Sequence, residues 1–96
     1  MTLEAIREVL SHEKPLLKSR YGVREIGVFG SYVRGEDTKD SDLDVLVDFE
    51  HAISLLRFIE LENYLTDLLQ VKVDLVMRDA LKPRIGQRIL KEVITI

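Results

Sequence analysis

Cysteine and tryptophan are absent from the 96 residues, and there are only two prolines and two methionines. Without cysteine the chain can form neither disulfides nor thiolate metal sites, which fits a reducing cytoplasm. No apolar run approaches the roughly 20 residues of a membrane helix. The opening MTLEAIREVL carries charge where a secretory signal would be apolar. A cytoplasmic location without a membrane partner is therefore expected. An excess of positive charge is also missing: 14 basic residues stand against 17 acidic ones, a net charge of -3. That balance argues against direct nucleic-acid binding. There is no internal repeat, low-complexity stretch or linker, so residues 1–96 read as a single domain. A content of 46% hydrophobic and 32% charged residues is ordinary for a globular fold and argues against disorder.

The acidic charge is concentrated in the middle of the chain. Seven of the fifteen residues from Glu36 to Glu50 are acidic and only Lys39 is basic, whereas Lys82, Arg84, Arg88 and Lys91 make the C-terminal end basic. Leu3, Ile6 and Leu10 recur at helical spacing behind a capping Thr2, and Pro15 predicts a kink or the start of a second short helix. Gly22 is placed as a left-handed helix stop. REIGVF reads as a first strand, Gly30-Ser31 as a tight turn into a short helical piece, and LDVLVDF as a second strand. From Ser54 to Leu69 the pattern is an amphipathic helix with a stripe of Leu55, Phe58, Ile59, Leu65, Leu68 and Leu69. VKVDLVM is a third strand, residues from Arg84 to Glu92 a last helix, and VITI a terminal edge strand. This order predicts an α/β sandwich of the α+β type, a small mixed sheet with helices packed on one face.

Alternation along a strand sends Asp42 and Asp44 one way and Leu43, Val45 and Val47 into the core. In the third strand the same rule separates Asp74 from Val73 and Leu75. If the two strands are neighbours, three carboxylates meet at one point, and a set of hard oxygens without histidine or cysteine suits Mg²⁺ best. The alternative at Asp74 is an ion pair with Lys72 or Arg78. Asp48 has the parity of Asp42 and Asp44 but lies too far along the strand to share their ions. At the end of the first strand, Gly30 permits a sharp turn and Ser31 offers a hydroxyl and an amide to an anion, with Arg34 one helical turn on. The same dipeptide would also suit a plain β-turn with a capping serine. Tyr32 reads as packing for that turn, Tyr64 as a core or partner contact, and His12 and His51 as residues without a catalytic part.

Gly30-Ser31 is followed by ten residues, Tyr32 to Ser41, and then by Asp42-Leu43-Asp44. This spacing resembles the DNA polymerase β-like nucleotidyltransferase superfamily. The stretch GVFGSYVRGEDTKDSDLDVLVDF, with VDLV ahead of it, resembles the minimal nucleotidyltransferases, the antitoxin halves of HEPN/MNT toxin–antitoxin pairs. One departure is Gln70, where relatives often carry glycine.

The resemblance implies the nucleotidyltransferase fold and an enzyme that moves AMP from ATP to a tyrosine hydroxyl of a partner HEPN ribonuclease, silencing that toxin. It implies that Asp42, Asp44 and Asp74 hold two Mg²⁺ ions, with Asp74 on the side of the acceptor hydroxyl. Ser31 and the Gly30 turn would hold the outer phosphates, with Arg34 beside them. A protein that neutralises its partner by contact alone, or binds nucleotide without turnover, is the competing expectation. Oligomeric state stays open.

Overall fold

A computed structural model describes residues 1–96. The first helix, α1, runs Leu3–Tyr21. Thr2 caps it by accepting a hydrogen bond from the Ala5 N–H at 3.1 Å. Gly22, at φ 71°, closes it with its N–H turned back to the Leu17 and Lys18 carbonyls. Pro15 lies inside this single helix and starts no new one, contrary to the expectation of a second helix. The proline is exposed, so the backbone carbonyl it leaves without a helical partner can turn to water. The buried stripe of Ile6, Leu10, Leu17 and Tyr21 runs past it on the other side.

Four strands follow in the spatial order β3-β2-β1-β4: β1 Val23–Phe29, β2 Leu43–Phe49, β3 Val73–Met77 and the short edge strand β4 Ile94–Thr95. β1 is antiparallel to both its neighbours, whereas β2 and β3 are parallel. A parallel pair needs a long crossover, and helix α3, Leu55–Leu69, supplies it. α1 and α3 cover one face of the sheet. Between them lie Ile26 and Val28 of β1, Leu43, Val45 and Val47 of β2, and Val73 and Leu75 of β3. Each fully buried leucine here contributes about 2 kcal/mol relative to exposure. No helix is long and apolar enough to cross a membrane. The last helix, α4 (Pro83–Glu92), borders the opposite face, where Leu90 and Val93 overhang Gly27 and Leu46.

The buried stripe of α3 differs from the expected one. Leu61, Leu65 and Leu69 are fully buried, with Phe58 and Leu68 packed beside them, while Leu55 is 73% exposed and Ile59 42% exposed. Leu61 continues the spacing from Phe58 to Leu65 and Leu69, and Ile59 lies nearly opposite Leu61 around the helix. Periodicity alone accommodated both ladders; packing against β3 selects one.

Gln70 ends α3 in the left-handed region, at φ 55° and ψ 33°. Its N–H bonds to the Thr66 carbonyl at 2.9 Å and its side chain to the Asp67 carbonyl at 2.6 Å. A side chain in this conformation costs about 1–2 kcal/mol, offset in part by the amide contact. Gln70→Gly is expected to stabilise the fold by about 1 kcal/mol, read from the denaturant midpoint at unchanged slope.

Candidate active site

The strand register decides what meets what. Asp44 pairs with Asp74 across the parallel β2–β3 ladder, and with Phe29 across the antiparallel β1–β2 ladder. The residue after Phe29 is Gly30, so the glycine turn arrives beside Asp44. Both acids point to the face that α1 and α3 leave uncovered. Their neighbours in sequence, Leu43, Val45, Val73 and Leu75, are buried on the other side. Asp74 is held between two anchored residues: the Val73 N–H donates to the Thr66 hydroxyl at 3.1 Å and the Leu75 N–H to the Glu62 carboxylate at 2.8 Å. Side chains of α3 thus satisfy the free edge of β3 and fix the acid it carries.

Asp42 precedes β2 and is exposed. Its carboxylate lies 3.9 Å from the Lys72 ammonium. Arg78 lies at the same distance from Glu25. Both cations that could have neutralised Asp74 are therefore placed elsewhere, and neither Asp44 nor Asp74 has a salt-bridge partner within 4.0 Å. The result is a pair of acids in mutual repulsion, Asp44 half-buried and Asp74 exposed. Asp44 is pushed above its ordinary value of 3.8, first by burial and then by the charges of Asp74 and Asp42; Arg34 pulls the other way.

No three carboxylates converge closely enough to cage a cation by themselves. The expected trio is an opposed pair, Asp44 and Asp74, with Asp42 at its rim. Mg²⁺ is commonly held by one or two carboxylates together with substrate phosphates and water. An uncompensated pair of hard oxygen donors fits that ion.

Gly30 adopts φ 82°, ψ -153°, a conformation essentially confined to glycine. A methyl group on its α-carbon would lie 2.0 Å from Asp44 Oδ2. Absence of a side chain is thus what lets the turn and the acid touch. The turn opens the short helix α2, Ser31–Arg34, where the Val33 and Arg34 N–H groups donate to the Gly30 carbonyl. Tyr32 is partly buried and packs against the core. Arg34 is already engaged by two carboxylates, Glu36 at 2.5 Å and Glu92 at 2.8 Å.

Glu92 is the residue that sequence reasoning passed over. Its second oxygen accepts the Gly30 N–H at 2.8 Å. These bonds, Arg34 first, hold its carboxyl below the ordinary range. The available signal was its position: an acid in the last turn of a helix opposes the helix dipole and calls for a local counter-charge.

Other singled-out residues are structural or exposed. Asp48, 7% exposed, accepts two hydrogen bonds from Arg24, at 2.6 and 3.1 Å. A bulge between Val23 and Glu25 brings that arginine opposite the acid. Tyr64 bonds to Glu13 and lies 6.2 Å from the Tyr21 ring. His12 and His51 are exposed. A hollow of about 270 Å³ lies two residues along β2 from Asp44, between the uncovered sheet face and α4, where Leu46, Asp48, Arg78 and Leu90 line it.

A mixed four-stranded sheet with a glycine turn set against strand-borne acids is the architecture of a nucleotidyltransferase. The family model described as "Nucleotidyltransferase domain" matches residues 10–96, and the chain belongs to that family. It is a nucleotidyltransferase enzyme of the minimal kind. Among curated relatives it is 58% identical to the protein adenylyltransferase MntA of Thermococcus cleftensis, over 98% of this chain and 95% of the relative. A solved structure described as a minimal nucleotidyltransferase is 42% identical, with a TM-score of 0.80 over 100% of this chain and 97% of its own. The MNT antitoxin complexed with tri-AMPylated HEPN toxin in Shewanella oneidensis shares the fold. It has a TM-score of 0.62 at 22% identity, over 96% of this chain and 66% of that one.

Proposed function

We propose that this nucleotidyltransferase moves AMP from ATP to a tyrosine hydroxyl of a HEPN-type ribonuclease and thereby acts as its antitoxin. The observation that carries the reading is the Asp44–Asp74 pair, opposed across one ladder rung and left without a basic partner. A purely structural acid pair would be neutralised or separated; this one is held in place from both sides. Similarity to an adenylyltransferase supports the AMP donor, and the shared fold of a HEPN-bound antitoxin supports the partner.

Asp42, Asp44 and Asp74 are the residues to hold Mg²⁺. When bound, the ions neutralise triphosphate charge and acidify the attacking hydroxyl. Ser31 and the Gly30 turn orient the outer phosphates, and Arg34 adds positive charge at their side. The acceptor oxygen forms a bond to the α-phosphorus while the bond from that phosphorus to the bridging oxygen breaks. Pyrophosphate leaves with the bonding pair, and the hydroxyl proton passes to the Asp74 carboxylate. In-line geometry follows from holding the triphosphate at the turn and the acceptor on the uncovered sheet face.

The test mixes the protein with its candidate partner, Mg²⁺ and ATP labelled in the α-phosphate. Label should pass to the partner and disappear in the combined Asp42→Asn, Asp44→Asn variant. Neutralisation of the ribonuclease by that variant, with no label transferred by the wild type, would instead establish inhibition by contact.

A further inference from the structure

Glu92 stands 62 residues from Gly30 in sequence, yet it ties the end of α4 to both ends of the glycine turn. One oxygen takes the Gly30 N–H at 2.8 Å, and the other takes the Arg34 guanidinium at 2.8 Å. The turn has no side-chain cap of its own. Its glycine occupies a backbone region that few contacts would otherwise select, and it leans on Asp44 from the opposite side. The Glu92 side chain is only 23% exposed. An acid at this helix end is intrinsically unfavourable, and the two donors at the turn offset that penalty.

We propose that Glu92 is a positioning residue for nucleotide binding: it fixes the Gly30 conformation and holds Arg34 beside the catalytic acids. The role rests on the reading that this turn receives the phosphates of ATP. Glu92 touches neither substrate nor metal and acts through the turn. The C-terminal segment thereby becomes part of the nucleotide site, since β4 follows α4 directly and anchors on β1 through Gly27 and Val28. Val93 presses on Gly27, where an added methyl would meet it at 2.6 Å, so the C-terminal segment has little room to shift.

The experiment compares wild type, Glu92→Ala and Glu92→Gln as full-length proteins. Amide exchange of Gly30 is followed by nuclear magnetic resonance without ligand, and Mg·ATP affinity by calorimetry without acceptor. In Glu92→Ala, Gly30 exchange should accelerate at least tenfold and ATP affinity should fall about tenfold. In a transfer assay KM for ATP should rise by a similar factor while kcat changes less than threefold. Glu92→Gln keeps an acceptor for Gly30 but loses the charge that holds Arg34, and should recover most of the exchange protection and part of the affinity. Unchanged Gly30 exchange in Glu92→Ala overturns the proposal. So does unchanged or tighter ATP binding, the latter meaning that the carboxylate competes with phosphate for these donors. A wild type that binds no ATP sinks the nucleotide reading itself, and the proposal with it. That result is distinct from a wild type that binds and a variant that binds equally well.

Discussion

Asp44→Asn is expected to reduce nucleotidyl transfer at least about a hundredfold, the scale seen when a charge-stabilising group is removed from a transition state. The same substitution should make the cation-free protein more stable near neutral pH. The folded Asp44 carboxyl is raised above 3.8 by burial, by Asp74 and by Asp42, so the folded chain holds this proton more tightly than the unfolded one. Stability attributable to Asp44 therefore falls as pH rises from the unfolded value through the raised one, and it does not return above it. Asparagine carries no such charge. Without divalent ions, Asp44→Asn should unfold at a higher temperature than wild type at pH 7, and the gap should close as pH drops below the unfolded carboxylate value. Mg²⁺ should raise the wild-type transition and leave the variant nearly unmoved. Asp74→Asn should behave alike in transfer, and the double variant should be little worse than either single one, because the two acids act as a unit. Retention of transfer within a few fold by Asp44→Asn would dismiss the acid pair as the reaction centre.

The elements were legible because their signals are local. Thr2 and Gly22 mark the ends of α1 by capping chemistry, and each does so in the structure. Alternation placed Leu43, Val45 and Val47 inward and Asp44 outward, as found. The adjacency of β2 and β3 was conditional in the sequence, since strand order is a property of the crossover through α3 and not of either strand. Long-range side-chain ties were not legible at all. Glu62 and Thr66 holding the edge of β3, and Glu92 reaching Gly30, depend on two segments meeting that no local pattern connects. The same limit explains Asp42. Parity gave it the facing of Asp44, but β2 begins one residue later, at Leu43, which leaves Asp42 exposed at the rim near Lys72. Pro15 failed as a breaker because propensity rules weigh the lost hydrogen bond and not the buried stripe that continues past it.

Gly30→Ala should be among the most damaging single changes in the chain, through two separable penalties. The first is conformational: a side chain at φ 82°, ψ -153° costs about 1–3 kcal/mol. The second is steric, because the new methyl would lie 2.0 Å from Asp44 Oδ2, and either the turn or the carboxylate must move. Together these should destabilise the fold by about 2 kcal/mol or more, lowering the melting temperature by about 10 °C. Transfer should fall at least about a hundredfold. Gly35 separates the two effects. It also has positive φ, 71°, but an added methyl there meets nothing within 4 Å. Gly35→Ala should therefore lose about 1 kcal/mol of stability and keep its transfer rate within about twofold. Combining Gly30→Ala with Asp44→Ala removes the oxygen that the methyl would strike. The pair should be less destabilising than the sum of its members by about 1 kcal/mol or more. Strict additivity of the two, measured by denaturant unfolding, would mean that Gly30 is required by its backbone angles alone and that its contact with the acid is incidental.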